Sequence, residues 1–152
     1  MRDQQRDVVL KQLYDAFAFV EKPDPLTTYD GSYWDRGVDV FNSLDWENAT
    51  YSDFAEGGEG AIICPALTKV YLLPRLFKML LLRRSGRSDD AVDNLSIELE
   101  SWPVDPDVEA LLSEGQKQAI VAAWSYLDSK IFYRGGSHTA REMAKHWALD
   151  PH

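Results

Sequence analysis

Three residues near the C-terminus have the spacing of a metal-binding helix face. His138, Glu142 and His146 follow one another at intervals of four, so neighbours in the series share one side of a helix, and imidazole and carboxylate are both metal ligands. The two histidines, however, would lie about 12 Å apart along the helix axis at the ordinary rise per residue, too far for one ion. Only a pair such as Glu142 with His146 could contribute. The HExxH pattern of zinc hydrolases is absent, and a third donor would have to come from Asp150 or His152. The expectation is a solvated helix face and no metal site.

Cys64, the single cysteine, stands before Pro65 in an apolar run. A nucleophilic cysteine needs a lowered pKa and a nearby base. A helix start would help with the first, but the sequence places no base beside it, so a small buried apolar role is expected. Gly57-Gly58-Glu59-Gly60 has the glycine content of a phosphate-binding loop without its Gly-Lys-Ser/Thr ending, and Glu56 and Glu59 would repel phosphate. Neither a Gly-x-Ser-x-Gly elbow nor a dinucleotide fingerprint occurs. With no catalytic set assembled, no cofactor is expected and a non-enzymatic role is favoured.

A different chemistry is written in the charges. Between Ser88 and Gln116 stand Asp89, Asp90, Asp93, Glu98, Glu100, Asp105, Asp107, Glu109 and Glu114, with no Lys or Arg among them. These nine acids equal the formal net charge of the whole chain, −9, so the rest of the sequence is balanced. A one-signed stretch of this kind accelerates association with a basic partner. It also serves as a plain solubilising face. The first eight of these acids are the candidate binding residues.

A second candidate is aromatic. Tyr29, Tyr33, Trp34, Phe41 and Trp46 are interleaved with Asp30, Asp35, Asp39 and Asp45. Rings and carboxylates together can line a pocket for a cationic or polar ligand, with Tyr33, Trp34, Asp35, Asp39 and Trp46 as its walls. Such residues also cap a core beneath a long loop. The alternative function, an enzyme or small-molecule binder, rests on this cluster.

Composition narrows the class. With 45% apolar and 12% aromatic residues, the chain has the core-forming side chains that disordered chains lack, and its 152 residues are the size of one domain. One globular domain over residues 1–152 is therefore expected. The acidity disfavours nucleic acid and anionic lipid surfaces. The apolar run from Ala61 to Leu82 carries Lys69, Arg75 and Lys78 and is broken by Pro65 and Pro74, too costly for a membrane span. The first seven residues hold no apolar core of a secretory signal, and one cysteine excludes an internal disulfide. These readings point to a cytoplasmic protein. They leave the oligomeric state open.

The elements that would position these groups are helical. Val9, Leu13, Ala16, Phe17 and Val20 predict a first helix from about Asp3 to Val20. Residues 26–60 have apolar mass without a clean period and are expected to be irregular. Pro65 suits a helix start, and Leu67, Val70, Tyr71, Pro74, Phe77, Leu80 and Leu81 line the inner face of the helix that follows, with Arg83, Arg84 and Gly86 at its end. A helix from Asp89 to Leu99 closes at Trp102-Pro103. Ser113-Glu114-Gly115-Gln116 reads as a capping box, opening a helix to about Lys130 with Ile120, Ala123, Trp124 and Leu127 inward. Ser137 would cap a last helix carrying Met143, Trp147 and Leu149. The fold expected is mainly α, a compact bundle of about five helices.

Four stretches in this order carry a resemblance. They are Asp45-Trp46; Val70-Tyr71-Leu72-Leu73-Pro74-Arg75-Leu76; Leu112-Ser113-Glu114-Gly115-Gln116-Lys117-Gln118-Ala119-Ile120; and Ala144-Lys145-His146-Trp147. Over roughly residues 40–148 the chain resembles a family of uncharacterised bacterial proteins. That family has an early Trp, a Tyr-Leu-Pro helix, a Leu-Ser/Thr-x-x-Gln helix start and an aromatic helix near the C-terminus. The resemblance implies a mainly helical domain of bacterial origin and names no catalytic residue. The absence of catalytic motifs and the segregated charge make a protein-binding module of immunity or inhibitor type, masking a basic partner, the leading expectation, and the resemblance is compatible with it.

Overall fold

A computed structural model of the chain describes residues 3–27, 35–54, 64–82, 89–129 and 139–149, with side chains throughout except at 35–38 and 89–93. The protein is mainly α, and no strand occurs among the described residues. The chain gathers into two compact units, one built from its two ends, Met1–Phe19 with Leu112–His152, and one from Val20–Leu111.

The terminal unit contains α1 (Gln4–Ala16), α6 (Glu114–Asp128) and α7 (Thr139–His146). Helix α1 packs on α6, and α6 on α7. Val9 and Leu13 of α1, and Phe17 just beyond it, are buried, as are Ala119, Ile120, Ala123, Trp124 and Leu127 of α6 and Met143 and Ala144 of α7. The inward stripe expected of α6 is therefore the observed one. Polar contacts fix the helix directions. The Asp3 carboxylate caps α1 by accepting the Arg6 N–H at 3.0 Å, and it also accepts the Tyr126 hydroxyl near the end of α6. At the other end, the Gln116 amide donates to the Ala16 carbonyl at 3.2 Å. The start of α1 thus meets the end of α6 and the reverse, so the two helices are antiparallel. The Asp128 carboxylate accepts the Ala140 N–H at 2.9 Å in the first turn of α7, while Lys117 lies over the Trp147 ring at 5.7 Å. Helices α6 and α7 are antiparallel by the same reasoning.

The two Ser113–Gln116 bonds of the capping box are present, the Ser113 hydroxyl accepting the Gln116 N–H at 3.1 Å and the Gln116 side chain accepting the Ser113 N–H at 2.8 Å. Helix α7 ends in a Schellman turn. The Leu149 N–H donates to Ala144 and the Ala148 N–H to Lys145, with Ala148 left-handed at φ 54°, a position glycine usually holds.

The central unit contains α2 (Asp35–Ser43), α3 (Ala66–Leu82), α4 (Asp89–Ser101), a 3₁₀ turn (Trp102–Val104) and α5 (Pro106–Glu109). Helix α3 is buried nearly all round, as its near-continuous apolar run requires. Val70, Tyr71, Leu72, Leu73, Pro74, Leu76, Phe77, Met79, Leu80 and Leu81 are all inside. The Thr68 hydroxyl donates to the Leu26 carbonyl, and the Tyr51 hydroxyl to the Met79 carbonyl at 3.3 Å. Asn42 and Thr27 exchange two hydrogen bonds through the Asn42 amide.

Several expectations are corrected. Helix α1 stops at Ala16, four residues short of Val20, where Phe17 takes a non-helical conformation. The segment 26–60 is not wholly irregular. It holds α2 and a helical turn at 51–54, whose start is a second reciprocal cap. The Asp53 carboxylate accepts the Thr50 N–H at 3.0 Å and the Thr50 hydroxyl accepts the Asp53 N–H at 3.2 Å. Leu67 is 62% exposed rather than inward, whereas its neighbour Thr68 is fully buried, so the first turn of α3 turns the Thr68 side to the core and the Leu67 side to solvent. Pro65 stands one place earlier than expected, its carbonyl accepting the Lys69 N–H. Arg83, Arg84, Gly86, Lys130 and Ser137 lie outside the described residues.

Candidate functional site

The acidic stretch is carried by α4, the 3₁₀ turn and α5, consecutive elements packed on α3 and on one another. Helix α4 closes where Pro103 ends the regular N–H pattern, and the Ser101 hydroxyl folds back to donate to the Ile97 and Glu98 carbonyls. Trp102 and Pro103 are buried, with the Lys69 ammonium 5.5 Å from the Trp102 ring centre. These buried residues form the turn between α4 and α5. Of the acids, Asp107 is exposed, and Glu98, Glu100, Asp105 and Glu109 are part-exposed. Asp89, Asp90 and Asp93 fall in the first turns of α4, with side chains outside the description. Ile97 at 47% and Leu111 at 44% are exposed among these acids.

One of these acids has a structural task that sequence reading missed. Asp105 caps α5, accepting the Asp107 N–H at 3.0 Å, with Pro106 at the first helical position. Asp-Pro before a short helix is itself a start signal. Glu114 also separates from the group, lying in the first turn of α6 in the terminal unit, where a carboxylate favours the helix dipole.

The charge divides along the same boundary. Val20–Leu111 contains 18 acidic and 8 basic residues, a net −10, whereas the two ends together contain 7 acidic and 8 basic, a net +1. The acidity of the chain is a property of the central unit.

The aromatic cluster is placed differently. Trp46 is 3% exposed, packs its ring 5.4 Å from Phe41 at 55°, and donates its indole N–H to the Phe41 carbonyl at 2.9 Å. Its ring and its one donor are both taken up by the core. Asp39 lies on the exposed side of α2. Asp35 begins that helix, with its side chain outside the description, as are Tyr33 and Trp34 altogether. Of the five proposed walls, the described structure therefore places Trp46 inside and Asp39 outside.

A charged cluster with no sequence signal lies nearby. Glu47 bridges two cations of α3, one carboxylate oxygen 3.1 Å from Arg75 Nε and the other 3.2 Å from Lys78 Nζ. Lys78 also donates to the Glu47 carbonyl, and Arg75 donates to the Tyr71 carbonyl while its guanidinium stacks 3.8 Å over the Tyr71 ring. The turn that presents Glu47 is organised by Asp45. Its carboxyl is held below its usual range chiefly by the Asn48 side chain. Glu47 and Lys78 are 31 positions apart, so only the fold unites them. The cluster joins that turn to α3.

Cys64 is buried, and burial pushes its thiol up to about 12, more than the Lys69 charge lowers it. A thiol held protonated is a poor nucleophile. Glu142 and His146 are exposed on α7, and His138 lies outside the described residues. No group of three or more potential metal ligands occurs among the described residues, and no described helix is long and apolar enough to cross a membrane. No family model, no curated protein and no solved structure matches the chain.

Proposed function

We propose that the protein is a protein-binding module whose central unit engages a basic partner through the surface of α4, the 3₁₀ turn and α5. The observation that carries the reading is the charge division. All of the net charge lies in one compact unit, and one stretch within it, residues 88–111, holds eight acids without a base. Charge of one sign on adjacent elements adds at long range and steers an oppositely charged protein into contact. Exposed Ile97 and Leu111 on the same stretch supply the apolar contact that slows departure, since steering acts mainly on the rate of arrival. An immunity or inhibitor role in the cytoplasm of a bacterium, masking a basic protein and not a nucleic acid, is the form that the segregated charge and the lack of a catalytic motif favour, and the resemblance is compatible with it.

The test compares two sets of neutralised variants. One carries Glu98→Gln, Glu100→Gln, Asp107→Asn and Glu109→Gln, leaving the Asp105 cap untouched. The other removes three exposed acids of the terminal unit, Asp15→Asn, Glu114→Gln and Glu142→Gln. Partners are captured from native extract at low salt, and association rates are measured with the captured protein. The first set is expected to slow association by roughly tenfold or more, an effect that shrinks as salt rises. The second set is expected to leave it nearly unchanged. Equal loss in both would mean non-specific attraction, and no loss in the first would overturn the proposal.

A further inference from the structure

We draw no further inference here: the strongest candidate, the exposed side chains of Ile97 and Leu111 on the acidic surface of α4 and α5, belongs to the site already described, and nothing in the structure shows what covers it.

Discussion

The Asp3 carboxylate performs two jobs with two oxygens, and removing it should cost more than either job alone. One oxygen caps α1 through the Arg6 N–H, and the other accepts the Tyr126 hydroxyl from α6. Loss of an N-cap costs about 1 kcal/mol, and a hydrogen bond to a charged group contributes about 1.5–3 kcal/mol. Asp3→Ala should therefore destabilise the terminal unit by about 3 kcal/mol. Tyr126→Phe should cost about 2 kcal/mol, because the cap survives. Asp3→Asn, which caps nearly as well, should cost about 1 kcal/mol. The double variant should be no less stable than Asp3→Ala, since Tyr126 at 5% exposure would otherwise keep a buried hydroxyl deprived of its acceptor. That predicts a coupling of about 2 kcal/mol, within the range for residues in direct contact. Urea unfolding followed by tryptophan fluorescence measures it, with fully buried Trp124 reporting on this unit. If the two single effects simply add to within about 0.5 kcal/mol, the shared carboxylate does not join the helices as argued.

Three further outcomes follow from the same geometry. Ala148→Gly should stabilise by about 0.5–1 kcal/mol: an alanine at φ 54° costs roughly 1–2 kcal/mol, and the greater freedom of glycine when unfolded returns only part of that; a thermal melt at or below that of the parent would contradict it. Burial and the Asp3 carboxylate push the Tyr126 phenol up to about 12. The folded state therefore holds this proton more tightly than the unfolded chain does. The stability it brings is complete below about pH 10 and is lost as pH rises towards 12. The advantage of the parent over Tyr126→Phe should accordingly narrow between about pH 10 and 12 in urea titrations, and a constant gap would refute the coupling. Cys64 should react with a maleimide or iodoacetamide at pH 8 about 100-fold or more slowly in the native protein than in urea, and comparable rates would show that the thiol is not enclosed.

What could be read in the sequence was what short range determines. The α6 stripe Ile120, Ala123, Trp124 and Leu127 and the Ser113–Gln116 box are local patterns, and both are as expected. Helix α2 is hard to read because its few apolar residues, Val38, Val40 and Phe41, do not recur at one helical spacing. The Thr50-x-x-Asp53 start was equally readable as a capping signal, but it opens a helical turn with no long apolar period after it. Other features were not legible at any spacing. Glu47 meets Arg75 and Lys78 only through the fold. Helix α3 is buried nearly all round, so periodicity hardly separates an inner from an outer face, and the spacing that groups Leu67 with Val70, Tyr71 and Pro74 does not reveal that Leu67 is exposed. Trp46 looked available because aromatic type does not reveal whether a ring is wall or core; its bond to the Phe41 carbonyl does.

The division of charge changes what the acidity of this chain excludes. A net −9 over the sequence disfavours every polyanion if it is spread evenly. It is not spread evenly: the central unit holds a net −10 and the terminal unit a net +1. Repulsion of a phosphate backbone is therefore an argument about α2–α5 only. For α1, α6 and α7 the charge is close to balanced, and their exposed groups, such as Lys11 paired with Asp15 at one turn's spacing, have the mixed signs of an ordinary solvated surface. In the proposed function, electrostatic steering rests on the net charge of the central unit, while the described helices of the terminal unit are held by caps and a shared carboxylate.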